Sequence, residues 1–362
     1  MSRKFCMLAP FFFLLIGNSR AQDFNGYFYH GYDYGSQSLV NPLTMIFHGG
    51  YGIMAMENRP NKPLDFPYRK GFDNVWYNLT HPIASIEAYG WENFIAGELI
   101  PFSVNSSRAQ YWPNYTMHLL GGGMSSRMMT EWYEYHHCPH PQVLSVVTMT
   151  LYHLLNETVE NGDYKGFNVD PIADLYIFDP LSILLFSNDK VARFFSKRLN
   201  YSDWSYQLAF DFQRGTIENV GQNFSLKWRL PWSQRWHLFY NYGNHGEAGF
   251  SYKWDQERAI SFGAGLTAKS LVDVNGKDSS DLRSLTTRLV TTTGLFYDRN
   301  GSLMASMLYA RNLRSRLRIN LYPGLIRVGS FSPGMFILLD QNDRWTLGLQ
   351  LQKVPFGLAR RL

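Results

Sequence analysis

Residues 235–268 read RWHLFYNYGNHGEAGFSYKWDQERAISFGAGLTA, and their hydrophobic pattern has a period of two throughout. Trp236, Leu238, Tyr240 and Tyr242 alternate with His237 and Asn241, and Phe250, Tyr252 and Trp254 alternate with Glu247, Ser251 and Lys253. Ile260, Phe262, Ala264 and Leu266 then oppose Ser261, Gly263, Gly265 and Thr267. Successive side chains of a strand point to opposite faces, so each run predicts a strand with one apolar and one polar side. Asn244-His245-Gly246 supplies a turn signal between the first two.

Outward from this stretch the alternation continues over 204–213, 223–230, 283–297, 302–310, 313–322, 324–340 (one strand or two) and 344–352. Many segments approach the roughly 9–11 residues that a tilted strand needs to cross a bilayer. Soluble strands more often have about five or six. Trp204, Trp236, Trp254 and Trp345 fall at segment ends, where an interfacial aromatic girdle would lie. Arg314, Arg316, Arg318 and Asn320 share a face opposite Leu317, Ile319 and Leu321, as a polar lumen allows. The pattern predicts an α+β chain built on an antiparallel transmembrane β-barrel of about 8–12 strands with an inserted helical domain. A soluble sandwich is the competing reading. Barrel strands are expected over 201–355, with a short basic tail at 356–362.

Composition narrows the class. A chain that is 45% hydrophobic, 16% aromatic and only 17% charged is not disordered. Lys plus Arg number 34 against 29 Asp plus Glu, but Arg3, Lys4 and Arg20 lie in an N-terminal leader, which leaves 31 against 29. That balance gives no reason to expect a nucleic-acid partner. Residues 1–21 read as a secretory signal: Arg3 and Lys4, an apolar core from Met7 to Ile16, then Ser19-Arg20-Ala21 as a cleavage site. Export and a barrel together predict the cell outer membrane, with membrane lipid and a periplasmic or outer-membrane protein as partners. Cys138 is then the single cysteine, so no intramolecular disulfide can form.

The middle of the chain changes period. Residues 22–78 are expected to hold a strand near Tyr27–Tyr34 and a loop around Pro60–Pro67. Residues 79–200 are expected to form a helical domain, docked in the lumen or beneath it and blocking passive flow. Its predicted helices run from His81-Pro82 to about Ile100, over 114–137, over 141–161, from Asp170-Pro171 through Leu181–Phe186, and from Asp189 to Asn200. Gly121-Gly122-Gly123 costs helix propensity and suggests close approach of another backbone.

These helices carry more polar groups than a plain support needs. His81, His118, Glu131, Glu157 and Glu160 are the candidate catalytic residues of a lipid-directed hydrolase, with Ser85, Ser125 and Ser126 supplying hydroxyls. No Gly-x-Ser-x-Gly elbow accompanies them. Glu134 and His137 have the Glu-x-x-His spacing of carboxylate-bridged metal sites, and His153 is a further candidate ligand. Only one such pair is present, where a full site uses two. Asp170, Asp174 and Asp179 could offer oxygen ligands, although Asp-Pro steps also serve as ordinary helix starts. No phosphate loop or dinucleotide fingerprint occurs, and no cofactor is expected.

Asn78-x-x-His81-Pro82, Asn156-Glu157-x-x-Glu160, Asp170-Pro171-Ile172-Ala173-Asp174-Leu175 and Asp179-Pro180-Leu181 follow one another over about residues 75–187. This order resembles an uncharacterised family of bacterial, periplasm-facing outer-membrane proteins with a helical domain of unknown function. The resemblance implies an outer-membrane setting and polar helix residues worth testing, and it implies no activity. A structural or interaction role is the leading expectation, and an outer-membrane lipid-directed hydrolase is the alternative.

Overall fold

A computed structural model describes residues 24–101, 111, 114–273, 285–327, 329 and 331–362. The leader expected at 1–21 lies outside them. Residues 24–41 are irregular apart from one 3-10 turn at Ser36–Leu39, so the strand expected near Tyr27–Tyr34 is absent. The backbone amides there are taken up by side chains instead, which leaves nothing to pair with a neighbour strand.

Helices begin earlier than the pattern suggested. α1 is Pro42–Gly50, started by Asn41, whose side chain accepts from the Thr44 amide, and by Pro42 in the first turn. α2 is Tyr68–Thr80, α3 Pro82–Tyr89 and α4 Trp91–Phe94, the last continuing as a π-helical turn over Ile95–Leu99. A second π segment, Tyr115–Gly122, leads into α5, Gly123–Tyr135. α6, Pro141–Asn161, opens on Pro141 and stops at Gly162, whose φ of 61° only glycine adopts at ease. α7 (Asp170–Ala173), a third π segment (Asp174–Phe178) and α8 (Asp179–Ser187) form one run. α9, Asp189–Arg193, ends in a fourth, Phe194–Arg198.

α6 is the axis of this block. Gly49 and Gly50 of α1 let it lie against Tyr152 and Leu155, and Gly71 of α2 meets the Thr158 carbonyl. The triple glycine receives aromatic rings rather than a backbone, which corrects the expectation: Phe224 covers Gly121 and Phe186 covers Gly123. Among the described residues no helix is long and apolar enough to cross a membrane.

The strands are β1 (Ser202–Asp203), β2 (Ala209–Asp211), β3 (Thr216–Glu218), β4 (Asn223–Arg229) and β5 (Trp236–Gly243). They continue with β6 (His245–Lys253), β7 (Arg258–Asp273), β8 (Leu285–Arg299) and β9 (Ser302–Tyr309). The last are β10 (Ser315–Leu321), β11 (Gly334–Asp340), β12 (Trp345–Gln350) and β13 (Gly357–Arg361). Together they make one 13-stranded sheet among the described residues, ordered β1-β4-β5-β6-β7-β8-β9-β10-β11-β12-β13-β2-β3.

Three details depart from the sequence reading. The tail at 356–362 is largely strand β13, paired with β12. β13 and β2 pair in parallel, so the sheet is mixed rather than purely antiparallel. Residues 204–213, expected as one long strand, contain only the short β2. β1 and β2 lie on the same short stretch of chain, which therefore bonds to both β4 and β13, the two ends of the ten-strand meander.

The sheet curls. Lys227 of β4 and Asp298 of β8 form an ion pair although three strands separate them, and the rings of Phe239 and Phe296 lie 5.3 Å apart. Trp204 fills the concave side between those two rings and donates its indole N–H to the Gly301 carbonyl. It is only 1% exposed and is therefore no girdle residue. Leu39, Tyr206, Leu303, Leu308 and Tyr322 join it. Arg318 and Asn320 turn inward as expected, with Arg318 donating to Asn219 Oδ1 and Asn320 Oδ1 accepting from Asn219 and Gln350.

Polarity is inverted across this sheet. On β5, Trp236, Leu238 and Tyr240 are exposed while His237 and Asn241 are buried. On β7, Ile260, Phe262 and Leu266 are exposed against buried Ser261 and Thr267, and on β12 Trp345, Leu347 and Leu349 against buried Thr346 and Gln350. Register pairs Phe224 with Tyr242, two positions from Tyr240, which places both on the convex face. There they are covered by Met124, Met128, Tyr152, Phe186 and Tyr201. The helical block thus docks on the outer face at the β4–β5 edge, and the concave filling comes chiefly from the neighbourhoods of Leu39 and Trp204.

Candidate metal centre

Three elements bring five titratable side chains together. α6 presents His153 and Glu157 four residues apart on one helix face, the π segment before α5 presents His118, and the α7–α8 run presents Asp174 and Asp179. His118 Nδ1 lies 3.0 Å from Asp179 Oδ1 and its Nε2 lies 3.1 Å from Asp174 Oδ2. His153 Nε2 lies 3.4 Å from the same Asp179 Oδ1. Two overlapping sets, His118–His153–Asp179 and His118–Glu157–Asp174, each keep one donor atom per residue within 4.8 Å of the others.

Local backbone explains the convergence. π-helical turns make up well under about 1% of residues in ordinary proteins and gather at functional sites, because the extra residue re-aims a side chain. Three of the four described π segments carry Glu98, His118 and Asp174. Asp179-Pro180 opens α8 as the continuation of a helical run and not as a capped start, contrary to the simple reading of an Asp-Pro step. Phe178 is already helical, and Asp179 gives no capping hydrogen bond. Its carboxylate is directed to the two imidazoles instead.

Charge follows burial and neighbours. Burial alone would depress His118, but the Asp179 charge and hydrogen bond, with Asp170 and Glu160, more than offset it and hold the imidazole above its ordinary pKa. His153 is pushed down to about 4 by burial, against the pull of Asp179. Burial, then Asp170, Glu157, Asp179 and Glu98, hold the Asp174 carboxyl far above the usual range. Burial raises Glu98 to about 7, against the Asn114 hydrogen bond and with help from Glu160. The ensemble can hold a proton between carboxylates or a divalent cation in their place.

The sequence candidates divide cleanly. His118, His153 and Glu157 are brought together, and Glu160 acts on His118 and Glu98 through its charge. His81 is exposed, stacked on Tyr77 with Nδ1 against the Tyr77 carbonyl, and takes no part. Glu131 is buried but serves the N-terminal segment, with Oε1 accepting from the Tyr27 amide and Oε2 from Phe28 and Tyr29. Glu134 and His137 are both exposed beyond the end of the buried face, so the Glu-x-x-His pair builds no centre. Among the described residues no serine hydroxyl bonds an imidazole: Ser85 donates to Asn78 Oδ1 and Ser145 to the Ser126 carbonyl. Asp179 is the member that sequence reasoning set aside, and an Asp-Pro step inside a long apolar helical run was the available signal.

Glu98 gives the cluster a pH signature. Its folded pKa lies above its unfolded one, so the native state keeps a proton longer and loses stability as pH rises from about 4.5 through about 7. Relative to Glu98→Gln, the wild-type protein should therefore lose melting temperature across that window and hold a constant gap above it. Thermal melts of both proteins in one detergent, followed by near-UV circular dichroism, check this. A gap that does not change with pH would remove Glu98 from the cluster. Comparison with family models, with curated proteins and with solved structures found no match to this chain.

Proposed function

We propose that this protein is an exported outer-membrane β-barrel whose helical block rests against the outer face of the strands and presents a binding surface at the membrane. The inverted polarity of the sheet carries this reading. Trp228, Trp236, Leu238, Tyr240, Phe250, Phe262, Leu266, Leu347 and Leu349 are exposed, while Lys227, Asn241, Glu247, Asp298 and Gln350 are buried. Water would make such a surface costly, and hydrocarbon makes it favourable. Aromatic residues stand at both strand ends, with Trp228, Trp236 and Trp254 at one and Tyr309 and Trp345 at the other. The helical block continues the apolar surface through Val143, Val146, Val147 and Leu151 of α6 and Leu181 and Leu184 of α8. A second reading, lipid-directed chemistry at the His118 cluster, is favoured by the three π turns that build that cluster.

Expression with its own leader in a Gram-negative host tests the location. The protein should fractionate with outer membranes, require detergent for extraction, and migrate faster on gels when left unheated. Phe262→Lys on the convex face should reduce assembly, at a cost of about 2–4 kcal/mol near mid-bilayer. A monodisperse protein recovered without detergent would overturn the reading.

A further inference from the structure

The helical block carries a site of its own, and its chemistry does not depend on whether the sheet faces lipid. We propose that His118, His153 and Asp179 bind one divalent first-row transition ion of the zinc or ferrous class, with Asp174 orienting His118 from behind.

Two of the three donor spacings match those of a bound ion. Two metal bonds of ~2.0–2.2 Å meeting at ~90–110° place their donor atoms ~3.0–3.5 Å apart. Asp179 Oδ1 stands 3.0 Å from His118 Nδ1 and 3.4 Å from His153 Nε2. Two imidazoles and one carboxylate form the set that selects zinc or non-haem iron over magnesium or calcium, which prefer oxygen alone. The other nitrogen of His118 lies 3.1 Å from Asp174 Oδ2, the carboxylate–histidine–metal relation that fixes a ligand's tautomer and orientation.

The protein's own groups leave this arrangement incomplete. His153 Nδ1, Asp174 Oδ1 and Asp179 Oδ2 are buried without a hydrogen-bond partner. Such an orphan costs about 1–3 kcal/mol, and the one on Asp179 belongs to a proposed ligand. Among the described residues, the ion-pair partners of Asp174 and Asp179 are the two histidines alone, so no lysine or arginine neutralises them. A cation bound to Asp179 supplies the missing charge and takes up its second oxygen. The His118 side chain remains 14% exposed and gives the ion a way in.

Purified full-length protein, stripped with EDTA and titrated with Co²⁺, tests the assignment. The wild type should bind about one Co²⁺ per chain with visible bands of nitrogen ligation, yield it to Zn²⁺, and melt at a higher temperature when loaded. Asp174→Asn should weaken Zn²⁺ binding about 10–100-fold, and His153→Gln and Asp179→Asn at least as much. Glu134→Gln, at an exposed residue outside the cluster, should stay within a few-fold of wild type. Absence of Co²⁺ bands in the wild type overturns the proposal, as does binding that Glu157→Gln abolishes and His153→Gln spares. Should a variant fail to fold by circular dichroism, the wild-type Co²⁺ spectrum decides alone, because oxygen-only ligation lacks the nitrogen bands.

Discussion

Alanine at Glu131 should detach the N-terminal segment from the helical block and cost about 3–5 kcal/mol, the range for stripping a partner from a buried charged group. The carboxylate is a structural hub. It accepts from the amides of Tyr27, Phe28 and Tyr29 at 2.9, 2.7 and 2.9 Å and from Arg127 Nε at 2.9 Å. Truncation strands three amides that no strand or helix satisfies, and it leaves Arg127 with Asp189 and the Ser187 carbonyl. Glu131→Gln keeps one acceptor oxygen and should fall between wild type and alanine. Limited proteolysis reads the effect directly, since cleavage within 24–41 should appear in the alanine variant well below its melting temperature. An unchanged digestion pattern, with lost turnover of a lipid substrate, would instead return Glu131 to the chemistry proposed for it from sequence.

The sheet was legible because alternation is a local signal. From β4 to β12 each expected run overlaps an observed strand, and most apolar positions of 235–268 are exposed, Tyr242 being covered by the helical block. Two strand errors have separate physical causes. In 204–213 the alternation is real, but Trp204, Tyr206 and Leu208 pack on the concave side rather than outside, so the same pattern marks filling instead of wall. In 357–361 the run Gly-Leu-Ala-Arg-Arg is too short and too charged to read as a strand, yet β12 supplies it with an edge. α1 and α2 went unread because Tyr, Gly and Pro dominate their surroundings. Burial of Gly49, Gly50 and Gly71 against α6 is a tertiary fact that no helix propensity reports.

The site was half legible for a different reason. Spacing within one helix can be read, and His153 and Glu157 were paired from their separation of four. What joins them to His118 and Asp179 is the packing of α6 against elements about 35 residues earlier and 25 later, together with π turns that shift side chains off the 3.6-residue period. A regular helical wheel therefore misplaces both partners.

The Asn78-x-x-His81-Pro82 motif divides the same way, and here the expected result is a contrast within three residues of chain. Asn78→Ala should destabilise the helical block by about 2–4 kcal/mol, whereas His81→Ala should stay within about 0.5 kcal/mol of wild type. Asn78 is fully buried and uses both ends of its amide. Nδ2 donates to the Asn74 and Gly166 carbonyls at 2.9 and 3.1 Å, and Oδ1 accepts from Ser85 Oγ and the Asn168 amide at 2.8 and 2.9 Å. The network then runs on to the cluster, with Asn168 donating to Asn161 Oδ1 and Asn161 donating to the Glu157 carbonyl. His81 contributes an exposed ring stacked on Tyr77, with Nδ1 against the Tyr77 carbonyl, at the junction where α2 ends and Pro82 opens α3. Its place in the motif follows from that junction, since the residue before a proline at a helix start stands outside both helices. Melts of the two variants beside wild type settle the matter. A His81→Ala protein that unfolds as early as Asn78→Ala would mean that the ring, and not the amide, holds the corner.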